Sequence, residues 1–326
     1  MRLGVFCYYL SSNLINMVST ITLNPAIDKG FEVERLAPDH KLRCPNPSVE
    51  AGGGGINVAR CIRRLGGDVQ ATFLSGGVNG SLLESILRTE SIDFRAIQIA
   101  GETRESIMIN ERVTGAQYRI VTEGPDIGLE VFNSMIDKIL AGVDTSGMVV
   151  ISGSLPKGMP IDFPAQLAAR VNHAGGRCIV DAGGPALKEA VHRGAYLVKP
   201  NLRELSELSG VASLELDDVD EAARALIGQG QCQVVVVSLG PAGALWVTRN
   251  GSGHIPAPTV KQLSTVGAGD SMVAGIVHAL EKGWEISDAV SWGVACGSAT
   301  TMQPGTQLFD PVDVDRLYNW IRQKKS

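Results

Sequence analysis

Aromatic residues are scarce, at 5% of the chain, and no apolar run is long enough to cross a bilayer. Cys7, Cys44, Cys61, Cys178, Cys232 and Cys296 are scattered without a CxxC or any short spacing, so neither a disulfide framework nor a zinc site is expected and the thiols read as buried and reduced. The five histidines form no HxH or HExxH pair, which removes the usual zinc-hydrolase patterns. Positive charge is not in excess either. Lys and Arg number 29 against 34 Asp and Glu, and a formal charge of −5 is a poor surface for displacing counterions from nucleic acid. These absences point away from nucleic-acid and membrane partners and toward a cytoplasmic protein.

Hydrophobic residues make up 44% of the sequence, which excludes intrinsic disorder. At roughly 150 residues per domain, 326 residues suggest two domains or one large α/β domain with an insertion. Glycine is in excess, 38 residues of 326 where average usage is about 7%. No Gly-X-Y period accompanies it, so the excess serves turns and close backbone approaches.

Residues 1–16 carry one early Arg and a short apolar patch but no small-residue cleavage site. The segment from Met17 opens with methionine and reads as a first strand, so residues 1–16 are expected to be a non-native or loose extension and 17–326 the folded domain. From there short β-branched runs alternate with helical patterns. Strands are expected at Val18–Leu23, Val69–Leu74, Gly147–Ser152, Arg177–Asp181, Tyr196–Val198, Val234–Leu239 and Ala244–Thr248. Helices are expected at Asn57–Leu65, Ser81–Thr89, Leu129–Leu140, Pro164–Ala174 and Asp218–Gly228, then at Ala268–Lys282, Ser287–Thr301 and Val312–Lys324. Such alternation argues for parallel βαβ units, and the run of valines at 234–237 for strands buried on both faces. Gly30–Pro45 and Ser106–Thr122 break the pattern: they alternate polar and apolar residues and lack a crossover helix. They are either a small separate sheet, a lid over the main domain, or an extension of its edge.

Four motifs could carry chemistry. Ser264-Thr-Val-Gly-Ala-Gly-Asp270 runs straight into a helical pattern, so its backbone N–H groups converge at a positive helix end. An acid there suits a base beside a phosphate, or simply a helix N-cap. Ala51-Gly-Gly-Gly-Gly55-Ile-Asn57 is a second glycine cluster opening a helix. It fails the dinucleotide fingerprint, since no hydrophobic strand leads into it and Asn57 stands where the third glycine belongs. Its glycines would let a polar ligand lie on the backbone, with the Asn57 amide offering a donor and an acceptor. In Lys199-Pro-Asn201-Leu-Arg-Glu204 the spacing sets Asn201 and Glu204 on one side of a first helical turn. They suit either Mg²⁺ held through water or an ordinary helix start. Val237-Ser238-Leu-Gly240-Pro-Ala-Gly243 reads as a tight hairpin.

The order GGGGIN, SGSLP, KPNxxEL, VSLGxxGA and TVGAGD resembles the ribokinase-like (PfkB) sugar kinases from about Met17 onward. Within that family the sequence is most similar to the minor-type ATP-dependent 6-phosphofructokinases. Relatives acting on fructose 1-phosphate or tagatose 6-phosphate commonly carry Lys at the position of Gly54. The resemblance implies a mostly parallel sheet flanked by helices with a small β lid at about 30–45 and 106–122, and a homodimer formed by two lids. It implies Asp270 as catalytic base, with the backbone of Gly267, Ala268 and Gly269 as anion hole. By the same carry-over Asp28, Gly53, Gly54 and Asn57 contact the sugar, while Lys41, Arg104 and Ser154 contact its phosphate. Lys199, Asn201, Ser238, Gly240, Gly243 and Thr265 fall at the nucleotide. Glu204 organises Mg²⁺ through water, and Ser264, Val266, Thr300 and Gly305 form a monovalent-cation loop, with K⁺ as candidate. The expected reaction is ATP-dependent phosphorylation of fructose 6-phosphate at its 1-hydroxyl. Tagatose-6-phosphate kinase, 1-phosphofructokinase and a non-catalytic sugar-phosphate sensor are the rivals.

Overall fold

A computed structural model of the chain describes residues 17–230 and 232–325. The expectation for residues 1–16, and Cys7 with it, lies outside the described residues. In chain order the first half runs β1 (Val18–Thr22), β2 (Ala26–Val33), β3 (Ser48–Gly52), α1 (Gly54–Arg64), β4 (Val69–Ser75), α2 (Gly77–Thr89), β5 (Asp93–Gln98), β6 (Arg104–Glu111), β7 (Gln117–Val121), α3 (Leu129–Leu140) and β8 (Met148–Ser152). There follow α4 (Phe163–His173), β9 (Arg177–Asp181), α5 (Gly184–His192), β10 (Ala195–Val198), α6 (Leu202–Ser209), α7 (Val219–Gly228), β11 (Cys232–Ser238), β12 (Ala244–Thr248), β13 (Gly251–Ile255), α8 (Ala268–Glu281), α9 (Ile286–Thr301) and α10 (Pro311–Lys325).

Nine strands form one sheet in the order β13-β12-β11-β10-β9-β8-β1-β4-β5. All neighbours from β11 to β5 pair in parallel, and only the β11–β12 and β12–β13 pairs are antiparallel. Crossover helices cover both faces, so β1 and β8 are buried at every residue. That burial is not purely apolar: the hydroxyls of Ser19, Thr20 and Thr22 lie inside β1 with no hydrogen-bond partner. On one face α8 is buried without a break from Ser271 to Leu280. It packs between α1 and α9, and the ring contacts of Trp284, Trp292 and Tyr318 fill the end of that layer.

A second sheet, separate from the first, has the order β3-β2-β6-β7. The lid expectation therefore holds over the edge-extension alternative, with corrected bounds. The strands start earlier, at Ala26 and Arg104, and residues 34–47 carry no strand. A third lid strand, β3, runs directly into the glycine cluster, so that cluster does have a strand before it, one of the lid rather than of the core. The lid is mixed, since β2 pairs β6 in parallel across eight residues. The chain thus leaves the core sheet at Thr22, enters the lid at Ala26 and returns through Gly52 to start α1. Both crossings pass over the carboxyl ends of the core strands, where open α/β sheets place their ligands.

Candidate active site

The carboxyl edge of the core sheet collects Thr22 (β1), Ser152 (β8), Asp181 (β9), Lys199 just past β10, and Ser238 (β11). Helix α8 starts above this edge. Its N-cap, Gly267, has φ 76°, a left-handed conformation that glycine adopts without strain, and no side chain caps the helix. The Ala268 N–H has only a long 3.4 Å contact to the Thr265 carbonyl. The first turn therefore offers N–H groups and a positive helix end to an anion.

Asp270 lies in that turn, half-buried, and its Oδ2 accepts a 2.9 Å hydrogen bond from Asn57 Nδ2 of α1. Burial pushes its pKa up to about 7, helped by the nearby Asp181, while the Asn57 bond and the Lys199 ammonium pull the other way. A carboxylate poised near neutrality is a competent proton acceptor. The helix N-cap alternative is excluded, because Gly267 is the N-cap. Asn57, expected at the sugar, spends one amide N–H on Asp270, and its other N–H and its Oδ1 remain for a ligand.

Lys199 is buried and pairs with Asp181 at 3.3 Å. Burial alone would depress its pKa, but Asp181, with Glu204 and Asp270 behind it, holds it above the usual lysine range. Lys199 also reaches the glycine loop, since a Cβ on Gly269 would lie 3.6 Å from its Nζ. Asp181 was missed in the sequence; its signal there was an acid closing the apolar run Cys178-Ile-Val-Asp181. Asn201 and Glu204 form a reciprocal capping box on α6, with Glu204 N–H donating to Asn201 Oδ1 at 2.9 Å and Asn201 N–H to Glu204 Oε2 at 2.8 Å. Asn201 also bridges to Ser238, and Ser238 leads into the Gly240–Gly243 hairpin, so these nucleotide candidates share one edge. Among the described residues no three His, Cys, Asp or Glu side chains could cage a metal. The fit is to a hydrated ion such as Mg²⁺ held by one carboxylate through its water shell, and Glu204 Oε1, the oxygen left outside the capping box, would supply that.

On the sugar side, Asp28 of β2 lies against Gly52, where any Cβ would strike its carboxylate. Burial raises the Asp28 pKa to about 6; Arg104 lowers it and Glu50 raises it in turn. Gly54 begins α1 pressed against β8, and a Cβ there would strike the Ser152 hydroxyl and lie 2.8 Å from the Gly153 nitrogen. Asn24 links two of the phosphate candidates: its carbonyl accepts from Arg104 Nε at 3.2 Å, and its side-chain amide donates to Ser154 Oγ at 3.2 Å. A cavity of about 460 Å³ opens there, lined by Asn24, Arg104, Thr122, Ser154 and Lys157 among others. Lys41 lies on the exposed 34–47 segment and is not part of that lining. Buried Arg60 ties the lid strand to the core, gripping Glu90 with two 2.7 Å bonds and the Ala51 carbonyl at 2.9 Å.

The cation-loop residues come together as two adjoining segments. The Leu263 and Ser264 N–H groups donate to the Thr301 carbonyl, and Ser264 Oγ accepts from the Val266 N–H. The Thr300 hydroxyl is turned inward and donates to Ser271 Oγ at 2.7 Å. Gly305 faces the lid residue Asn110.

The chain is 39% identical to ATP-dependent 6-phosphofructokinase isozyme 2 of Escherichia coli over 305 residues, 93% of this chain and 98% of that protein. It is 31% identical to the 1-phosphofructokinase of Bacillus subtilis, covering 92% of this chain and 100% of that one. The E. coli phosphofructokinase-2 structure in complex with potassium superposes with a TM-score of 0.89 at 38% identity, covering 94% of this chain and 99% of that one. A Thermotoga maritima ribokinase, at 22% identity and TM-score 0.73 over 93% of this chain and 99% of that one, shares the fold. Residues 19–313 match the model of the pfkB family carbohydrate kinases. The chain belongs to the pfkB family of carbohydrate kinases.

Proposed function

We propose that the protein transfers the γ-phosphoryl group of ATP to the 1-hydroxyl of fructose 6-phosphate, forming fructose 1,6-bisphosphate and ADP. The observation that carries this reading is the pairing of Asp270 with Asn57 beside an open helix N-terminus, with a cation-lined cavity on the acceptor side. Asp270 takes the hydroxyl proton as the sugar oxygen bonds to the γ-phosphorus, and the bond from that phosphorus to the β–γ bridging oxygen breaks. The N–H groups of the Gly267–Asp270 turn receive the charge on the transferred group, and Lys199 adds a fixed cation behind them. Mg²⁺, when bound, neutralises phosphate charge, and Glu204 is the residue to hold its water shell. Ser264, Val266, Thr300 and Gly305 are the corresponding choice for K⁺; the E. coli relative has been solved with potassium.

Two features favour fructose 6-phosphate over fructose 1-phosphate or tagatose 6-phosphate. Gly54 leaves no room for the lysine common in relatives with those substrates, and the E. coli relative has also been solved with fructose 6-phosphate. The retained base and Lys199–Asp181 pair argue against a passive sensor. Tyr118, Ile120, Val121 and Val49 are exposed apolar side chains of the lid, consistent with a homodimer built on it. No helix among the described residues is long and apolar enough to cross a membrane. The described cysteines are free thiols, in keeping with a cytoplasmic location.

A coupled ADP-release assay over fructose 6-phosphate, fructose 1-phosphate, tagatose 6-phosphate and free fructose tests the assignment. The highest kcat/KM is expected for fructose 6-phosphate. Equal turnover of free fructose would overturn it.

A further inference from the structure

The cavity beside Ser154 holds more positive charge than the carried-over residues account for. Arg104 and Lys157 both line it, and among the described residues neither forms an ion pair within 4 Å. Arg104 commits one of its donors to the Asn24 carbonyl, which fixes the guanidinium by one edge and leaves the other donors free for a ligand. Burial disfavours its charge, Asp28 favours it, and Arg119 disfavours it to a smaller extent. Two unpaired cations facing one cavity repel each other, and Glu123 is the sole acid in the lining. An anion with more than one negative charge would relieve that repulsion.

Lys157 is presented by a well-anchored loop. Its carbonyl accepts the Ile127 N–H at 3.2 Å, the adjoining Pro156 is buried, and the Met159 N–H closes a turn onto Pro156 at 3.3 Å. Lys41, in contrast, stands on the strandless 34–47 segment away from this lining. We infer that Lys157 is a further substrate-binding residue, a second cation for the phosphate the acceptor sugar already carries, acting with Arg104 and Ser154 within one chain. The inference rests on the sugar-phosphate reading above. It deepens that reading by placing part of the substrate selectivity on the SGSLPK loop rather than on the lid.

The test is Lys157→Met, which keeps the length of the side chain and removes its charge at an exposed position, with Lys157→Arg as the conservative variant. In Lys157→Met, KM for fructose 6-phosphate is expected to rise about five- to tenfold, the size of one partly exposed charge-assisted contact. KM for ATP and kcat should stay within about twofold, and Lys157→Arg should restore most of the loss. Added salt should raise KM for the sugar phosphate more steeply in the unmutated enzyme than in Lys157→Met. An unchanged KM in Lys157→Met overturns the inference. Should the unmutated enzyme turn over no sugar phosphate, the functional reading fails instead. The cavity is then probed by titrating inorganic phosphate alone: several-fold weaker binding to Lys157→Met supports the assignment, and equal binding sinks it.

Discussion

Helices α6 and α8 begin with the same local pattern and finish it in opposite ways. Each has an acid at the third helical position, Glu204 in α6 and Asp270 in α8. In α6 the N-cap is Asn201, and cap and acid satisfy each other's backbone N–H groups, so the helix end is closed. In α8 the N-cap is glycine, which has no side chain to return, and the acid is held instead by Asn57 from another helix. One residue at the cap and one amide from a distant segment thus separate an acid tied into its own helix cap from one held with a raised pKa. The closed end stabilises its own helix; the open end leaves its N–H groups for a ligand and leaves the acid with a pKa near neutrality.

The sharpest way to break this contrast is Asp270→Asn. It keeps the shape of the turn and removes the proton acceptor, so kcat is expected to fall by at least about 10²-fold, with equilibrium affinity for fructose 6-phosphate changing far less. The pH dependence follows from the same group. The base must be unprotonated, so kcat of the unmutated enzyme should climb about tenfold per pH unit below its pKa of about 7 and level off above it. Stability runs the other way. The native carboxyl binds a proton more tightly than the ordinary value of 3.8, so the fold loses stability as pH rises from there to about 7. The melting temperature of Asp270→Asn should accordingly pull ahead of the unmutated protein across that window.

A milder change is Asn57→Ala. It takes away the hydrogen bond that favours the charged form of Asp270, so the acid limb of the kcat profile should move up by roughly half to one pH unit. At pH 7 the expected loss is about two- to fivefold, recovered almost fully at pH 9. An unshifted limb would mean that Asn57 does not set the state of the base. The smallest effect is expected from Asn201→Ala at the closed helix end. Losing that cap should cost about 1 kcal/mol in chemical denaturation, and the acid limb of kcat should stay where it is.

The contrast also marks where sequence reading stops. Core strands such as β9 and β12 and helix α3 are legible to the residue, since buried β-branched runs and helical periodicity are local properties. The edge strands β5 (DFRAIQ) and β13 (GSGHI) escape notice because each is only partly buried along most of its length and neither carries an apolar run. The lid strand β3 hides for the same reason, with only its last two residues buried. The glycine loops advertise their chemistry through composition alone. What they do not advertise are the partners brought by the fold: Asn24 between Arg104 and Ser154, Asp181 beneath Lys199, and Lys157 in the acceptor cavity. Glu204 and Asp270 look alike in the sequence because their difference lies in which remote side chain arrives.

The Asn57–Asp270 bond joins residues 213 positions apart. The lid and the first glycine loop emerge early during synthesis, while Asp270, the proposed base, is made only after the last described strand of the sheet. A growing chain could shape the sugar side well before it could catalyse, so phosphoryl transfer has to wait for the last helices to dock. In refolding from denaturant, the return of activity should coincide with the slowest structural phase, because closing so long a loop comes late. Turnover should then serve as a clock for completion of the whole fold, and a chain cut before Asp270 is expected to be inactive even where its sugar cavity has formed.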